Sequence, residues 1–477
     1  MTADKTNEYD LIVLGGGPVG ENVADRAVQG GLTAIIVESE LVGGECSYWA
    51  CMPSKALLRS AQALRAAQHV AGAKEAVTGA LDVRAVFARR DSFTSNWSDD
   101  GQVKWLESAH IDLARGHGRL TGEREVTVTD PDGGTRVLHA RHAVAISTGS
   151  DAVVPPIPGL REASPWTSRE ATSAEELPDS LAVIGGGVVA VEMATAYAAL
   201  GSTVTLIARS DLLGGMEPFA GERVAAGLRE LGVEVRLNTG TTAVRRDDAG
   251  VTITLDDDSE VTASEVLVAT GRSPRSGDIG LETAGLEPGK WIEVDDTLRV
   301  PGSDWLYAVG DVNGRVLLTH QGKYQARAAG DVIAARAKDE PVDADDWGRH
   351  AATADHAAVP QVTFSIPEVG SVGLTEKAAR DAGHEVKVID YDLGWVAGAS
   401  LYEDGFAGQA RLVVDTARDV VLGATFVGPE VAELVQAATI AVVGEVPIKR
   451  LWHAVPSYPT VSEVWLRLLE GYGRASA

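Results

Sequence analysis

Cys46 and Cys51 are the only cysteines in a chain of 477 residues, and they stand five positions apart. A secreted chain held by disulfides would carry many more, so the pair asks for a chemical reason. Two nearby thiols can take up and release two electrons by opening and closing one S–S bond, with the thiolate as the attacking form. In a regular helix five residues climb about 7.5 Å, beyond the roughly 7 Å between Cα atoms that a bridge tolerates. A bridge therefore requires an irregular turn. Such a turn at a helix start would also place the sulfurs where the dipole and any nearby cation favour thiolate. The plain alternative is two small buried thiols.

Just upstream, Tyr9–Leu14 is a short apolar run of the kind found in strands buried on both faces. It leads into Gly15-Gly-Gly17-Pro-Val-Gly20, then a helical stretch to about Gly30 and a strand, Thr33–Glu38, that ends in an acid. Gly15, Gly17 and Gly20 thus follow a strand and open a helix, where unpaired N–H groups and the dipole favour a pyrophosphate. Glu38 lies 23 residues after Gly15, near the separation expected of an acid that bonds ribose hydroxyls. The pattern recurs with Gly185 and Gly187, with Ala190 at the third position, still small enough for a helix to pack tightly on a strand. Its second strand, Ser202–Ile207, runs into Ala208-Arg209-Ser210 with no acid. An arginine there suits a 2′-phosphate, so NADPH is expected in preference to NADH, with NADH possible.

The elements around these motifs fit a large folded protein. At this length about three domains are expected. Val126–Val137 alternates as a hairpin turning at Asp132-Gly-Gly134, Pro155-Pro-Ile-Pro158-Gly is a stiff connector, and from about Asp343 mixed strands and helices suggest a further domain. The formal charge is −26, which repels nucleic-acid backbones. No apolar run reaches a membrane span of roughly 18 residues, and the polar start, Met1–Asp10, shows neither the basic nor the apolar region of an export signal. A cytoplasmic enzyme without nucleic-acid or membrane partners is expected.

With Ser147-Thr148-Gly149, Ala269-Thr270-Gly271-Arg272, Gly310-Asp311, Leu318-Thr-His320-Gln321 and Pro360–Glu368 added, the chain resembles the FAD-dependent pyridine nucleotide-disulfide oxidoreductases, the family of glutathione reductase, dihydrolipoamide dehydrogenase and mercuric reductase. The resemblance runs from Tyr9 to about Glu470. It implies an α/β fold with two Rossmann-like dinucleotide-binding domains (FAD and NAD(P)) and a C-terminal α+β dimerisation domain. The segments would be 1–150 and 276–345 for FAD, 151–275 for NAD(P) and 346–477 for the dimer interface.

The same resemblance implies roles. Gly15, Gly17, Gly20 and Glu38 would hold the adenylate half of FAD, Gly44, Thr148, Gly149 and Gly310 would line its site, and Asp311 would bond the ribitol. Gly185, Gly187, Ala190, Arg209 and Gly271 would serve NADPH. Lys55, paired with Glu192, would lie near the flavin N5, Cys51 would face the flavin, and Cys46 would meet a small-molecule acceptor. The bland reading of Lys55 and Glu192 is a surface ion pair. A homodimer is implied, and the apolar stretch Val431–Val443 agrees with it unless that helix is simply core.

The pattern breaks near the end. Disulfide reductases of this family carry His-Pro-Thr there, with a glutamate that orients the histidine; this chain has Tyr458-Pro459-Thr460 and keeps Glu463. A phenol near pKa 10 is a poor proton shuttle beside an imidazole near 6.5, and His453 is the only substitute nearby. Val188-Val189 stands where glutathione reductase has a covering tyrosine. Mercuric reductase is similar there, and in Trp166-Thr-Ser and Ala208-Arg209, but relies on a terminal cysteine pair that Gly471–Ala477 lacks; no resident metal is expected. Soluble transhydrogenases share Tyr-Pro-Thr and the Cys46-Ser-Tyr-Trp49 stretch but lack the second cysteine. The expected function is electron transfer from NADPH through flavin and the Cys46–Cys51 disulfide to a disulfide or thiol-reactive acceptor. The alternatives are quinone reduction or transhydrogenation directly at the flavin, a metal reductase, or a redox-responsive binding protein.

Overall fold

The computed structural model describes residues 7–473. The stretches 1–6 and 474–477, on which the readings of the polar start and the sulfur-free end partly rest, lie outside them. In chain order the main elements are β1 (Glu8–Leu14), α1 (Pro18–Gln29), β2 (Ala34–Glu38), α2 (Gly44–Tyr48) and α3 (Cys51–Gln68). There follow β3 (Ile111–Arg115), β4 (His117–Gly122), β5 (Glu125–Thr129) and β6 (Thr135–Ile146). The second βαβ unit supplies β7 (Ser180–Ile184), α4 (Val188–Leu200), β8 (Thr203–Ile207), α5 (Pro218–Glu230), β9 (Glu234–Arg236) and β10 (Glu265–Val268). Next come β11 (Leu306–Ala308) and α6 (Thr319–Ala337). Last are β12 (Pro360–Thr363), β13 (Glu368–Gly373), α7 (Glu376–Asp381), β14 (Val386–Asp392), β15 (Gln409–Asp415), β16 (Val420–Gly428), α8 (Val435–Val443) and α9 (Val464–Tyr472).

Two compact units result: one of residues up to Met52 with Asp91–Ala152 and Arg272–Asp355, the other of Pro53–Arg90, Val153–Gly271 and the chain from His356 onward. In the first, the strands run β3–β2–β1–β6–β5–β4, with β11 also on β6. β1 is parallel to both neighbours, and β5 and β6 form the expected hairpin. A strand projects alternate side chains to opposite faces. Leu11 and Val13 accordingly join one core cluster with residues of α1 and α6, while Ile12 and Leu14 join another on the opposite face. Each such burial contributes about 1.5–3 kcal/mol, which is why Leu11–Leu14 is apolar at every position.

The second unit repeats the scheme. Its parallel sheet runs β9–β8–β7–β10, with Leu181 and Val183 in one cluster and Ala182 and Ile184 in another. α4 is apolar almost all round because it is buried almost all round. The unit also holds an antiparallel sheet, β12–β13–β16–β15–β14. These parts are tied together at Arg411, which donates to Glu217 just before α5, at 3.0 Å, and to both oxygens of Asp390 on β14, at 2.8 Å. Glu217 also accepts the Glu376 N–H at the start of α7. A Cβ at Gly227 of α5 would sit 2.3 Å from the Ile366 carbonyl.

The helix expected at Val431–Val443 begins later than its apolar pattern suggests, and another near the end opens in the same way. Glu430 has φ 51°, a left-handed conformation that cannot open a helix, so a single 3₁₀ turn, Val431–Leu434, precedes α8. Likewise a 3₁₀ turn, Val461–Glu463, precedes α9.

Candidate active site

In the first unit the turn after β1 is built by contact. Gly15 has φ +101°, and a Cβ there would lie 2.4 Å from the Ser147 carbonyl, so only glycine fits. A Cβ on Gly44 would meet the Gly17 Cα at 2.8 Å, which holds the start of α2 against the turn. Glu38, at the end of β2, accepts the Gly16 N–H at 2.6 Å and the Glu40 N–H at 2.7 Å. A carboxylate has about four acceptor positions, so it keeps capacity for a ligand hydroxyl. Gly15, Gly17, Glu38, Gly44, Thr148, Gly149 and Asp311 line one cavity of about 490 Å³, together with Cys46 and Thr319. Gly20 and Gly310 do not line it; a Cβ on Gly20 would lie 2.0 Å from the Gly15 carbonyl, and one on Gly310 3.0 Å from Val19 Cγ2. Asp311 accepts from Ser150 Oγ at 2.6 Å, and the Thr148 hydroxyl donates to the Arg275 carbonyl. The Arg275 side chain bonds Glu45 and Asp151. The residues present fit an elongated dinucleotide: a glycine cradle, an acid at a strand end and a second acid farther along.

The two cysteines are separated by the irregular turn that their spacing requires. α2 ends at Tyr48, Trp49 has φ −136° and ψ 5°, and α3 begins at Cys51. Both are thiols in the structure, and Cys51 Sγ is 3.4 Å from Thr319 Oγ1. The expected shift of Cys46 toward thiolate is corrected here. Its ionisation is pushed upward, first by the hydrogen bond it gives to Cys51, then by burial and by negative charge on Cys51, against smaller pulls from Thr319 and Lys323. A thiol that donates to its partner sulfur keeps its proton.

The second unit holds the remaining candidates. Lys55, one turn into α3, bonds Glu192 of α4 at 2.7 Å. Glu192 is 3% exposed and accepts the Phe364 N–H at 2.9 Å, and the lysine ammonium lies 5.1 Å from the Phe364 ring centre. This is no loose surface pair. Gly185 and Gly187 form the turn between β7 and α4, Ala190 is fully buried behind them, and Gly271 ends the unit's middle segment. Arg209 lies exposed just past β8.

Near the end, Tyr458 is 75% exposed and His453 is also exposed; within its own chain the histidine does not fold inward. Glu463 is buried and bonds Arg467 on α9 rather than Tyr458. Sequence reasoning gave no role to Thr319, although it lies in the quoted Leu318–Gln321 stretch, nor to Ser150 or Arg275. Their partners are more than a hundred positions away, and nothing in local spacing reports that.

Comparison with known proteins agrees with this geometry. The family profile described as pyridine nucleotide-disulphide oxidoreductase matches residues 9–326, and the dimerisation domain of the same family matches 359–468. A dihydrolipoyl dehydrogenase of Haloferax volcanii is 31% identical, covering 98% of this chain and 97% of its own. A mercuric reductase of Streptomyces lividans is 32% identical, covering 95% and 94%. Among solved structures, the Cu(II) complex of the HOCl-induced flavoprotein disulfide reductase RclA from Escherichia coli shares the fold, with TM-score 0.83 and 24% identity over 98% of this chain and 99% of that one. LpdA from Mycobacterium tuberculosis does so with TM-score 0.83 and 23% identity, covering 98% and 100%. The doubled glycine turn, the paired thiols and the match over nearly the full length place this chain in the pyridine nucleotide-disulphide oxidoreductase family, whose members are FAD- and pyridine nucleotide-dependent enzymes.

Proposed function

We propose that the protein passes electrons from NADPH through FAD and the Cys46–Cys51 pair to a disulfide or thiol-reactive small molecule. The observation that carries this reading is that Cys46 and Thr319 line the same cavity as the glycine turn, Glu38 and Asp311. FAD, when bound, supplies two-electron exchange between nicotinamide and sulfur. Gly15, Gly17, Gly20 and Glu38 are assigned to its adenylate half. Gly44, Thr148, Gly149, Gly310 and Asp311 are assigned to the rest, and the Lys55–Glu192 pair to the flavin N5 by family motif. Gly185, Gly187, Ala190, Gly271 and Arg209 are assigned to NADPH, with the arginine on the 2′-phosphate. Cys51 is taken as the inner sulfur and Cys46 as the one that meets the acceptor.

Tyr458 and Glu463 sit in the segment that a homodimer would offer to the partner's site. Because Tyr458 replaces an imidazole base, proton delivery to an ordinary leaving thiol is weakened, and this favours one second reading: reduction of a quinone or second nicotinamide directly at the flavin. Replacing Cys46 by serine separates the two. Under the first reading, anaerobic NADPH still bleaches the yellow chromophore but turnover of every acceptor is lost. Retained quinone turnover in Cys46→Ser would remove it in favour of the second.

Among the described residues no helix is long and apolar enough to cross a membrane.

A further inference from the structure

Three consecutive residues, Ser95, Asn96 and Trp97, have φ of 52°, 51° and 54°. L-residues enter that left-handed region singly and hardly ever in runs. Such strain persists only where the surroundings fix it, and it gathers beside functional sites. What this turn touches is the stretch between the two cysteines. The Trp97 indole N–H donates to the Tyr48 carbonyl at 3.2 Å, and Tyr48 ends α2, two positions after Cys46 and three before Cys51. The Tyr48 hydroxyl is buried and donates to the Val42 carbonyl at 3.0 Å, with the Ser98 carbonyl 3.4 Å away. The Val42 N–H in turn donates to Asp99 at 2.8 Å, and Arg115 donates to the same carboxylate oxygen. Val42, Tyr48 and the segment from Trp97 to Asp99 thus close a ring of hydrogen bonds around α2, all of it within the first unit.

We propose that Trp97 is a positioning residue of the thiol pair, its indole N–H fixing the turn between Cys46 and Cys51 so that the opened sulfurs stay close enough to close again. α2 has five residues, too few to hold their shape alone. Thr319 lies against Cys51 from α6, so the sulfur that the clasp restrains is chiefly Cys46, which sits on α2. Both sulfurs are thiols in the structure, and Cys46 gives its hydrogen bond to Cys51. A disulfide would tie the turn covalently; once it opens, that weak bond and the Trp97 clasp are what hold the two sides together. A restrained pair presents each sulfur to the other at high effective concentration, so the clasp moves the balance toward the disulfide. Closure takes one electron and one proton from each sulfur and joins the two in one S–S bond, the oxidant receiving both electrons and both protons. By reciprocity, a closed bridge strengthens the Trp97 hydrogen bond.

The proposal rests on reading Cys46 and Cys51 as a redox pair. Its test is the anaerobic equilibrium of the FAD-containing protein with mixtures of reduced and oxidised dithiothreitol, quenched in acid, with the free thiols counted by alkylation and mass. Oxidised dithiothreitol takes up the two electrons and two protons, so neither NADPH nor an acceptor is needed. Trp97→Phe keeps an aromatic ring and loses the N–H donor. At a given buffer ratio it should lower the proportion of disulfide to dithiol about three- to tenfold, the weight of one hydrogen bond. Tyr48→Phe, which opens the ring of bonds at Val42, should lower it in the same direction, and the two together by less than the product of their separate effects, because both hold one turn. A purely structural role for Trp97 would lower the melting temperature and leave the proportion in place. The idea is overturned by a folded Trp97→Phe protein whose proportion equals the native one. If Trp97→Phe does not fold, Tyr48→Phe decides: a lowered proportion supports the clasp and a native one overturns it. A native protein that forms no bridge at any buffer ratio would refute the redox reading itself, and the clasp with it, so the two failures are told apart.

Discussion

In the proposed assignment, Arg209 is the residue on which cofactor choice turns. It stands exposed past β8, where an acid would select NADH. Arg209→Gln is therefore expected to raise KM for NADPH about 10- to 100-fold while leaving NADH kinetics in place; steady-state assays with both cofactors check this, and an equal rise for both would remove the assignment. Gly15, Glu38 and the cysteine spacing could be singled out because strand, glycine turn, acid and thiols stand at readable spacings within one stretch of chain, although the reason Gly15 must be glycine, the Ser147 carbonyl, lies far along it. Thr319 was not, since its partner Cys51 is 268 positions away. The acidity of Cys46 was misjudged for a different reason: a helix start and a cation argue for thiolate, but a hydrogen bond donated to nearby Cys51 and burial outweigh them.

At the scale of elements, periodicity placed the strands of both βαβ units within a residue or so, because runs buried on both faces leave little freedom in what they contain. It placed helix starts less well, as at Glu430, whose left-handed backbone leaves no mark in an apolar pattern. The start of β13 carries a consequence for pH. Glu368 is 9% exposed, bonded to Gln62 and to the Ala432 N–H. Burial lifts its carboxyl to about 7. A carboxyl raised on folding stabilises the native state fully below its ordinary value near 4.5, and that contribution is lost as pH climbs through 7. Glu368→Gln has nothing to ionise, keeps a carbonyl acceptor for the Ala432 N–H, and presents its NH2 to Gln62, whose amide can turn its oxygen to accept. Between pH 5 and 8 the native protein should lose on the order of 2–3 kcal/mol relative to this variant, read from urea midpoints at the two pH values. Parallel pH curves for the two proteins would show that Glu368 titrates normally. The buried carboxyl of Glu21, shifted the same way, is common to both and cancels.

For the whole molecule, association must overcome a formal charge of −26 on each copy, so apolar contact has to supply the attraction. The inner face of α8 is core, with Val435, Ala438 and Ala441 buried, whereas Ile440 is 59% and Val443 37% exposed. The core reading of the Val431–Val443 stretch therefore holds for the inner face, and the outer face, with Ile440 and Val443, is the one proposed for the dimer interface. Ile440→Glu should convert the dimer to monomer on gel filtration at micromolar concentration while far-ultraviolet circular dichroism stays unchanged; a variant that still elutes as a dimer places the interface elsewhere.

The Arg411 junction bears on how divisible this protein is. The guanidinium draws its partners from the NAD(P)-type fold and from the five-stranded sheet alike, and the Gly227–Ile366 approach leaves no room for solvent between them. A gene fragment encoding only the last 120 or so residues, typical in size for a free-standing domain, would emerge with a cation stripped of one acid and a bare groove where α5 had lain. It should be recovered as aggregate, while a piece that restores residues 153–271 alongside it should stay in solution. Modular as the family profiles look on paper, the cut between them runs through a shared knot.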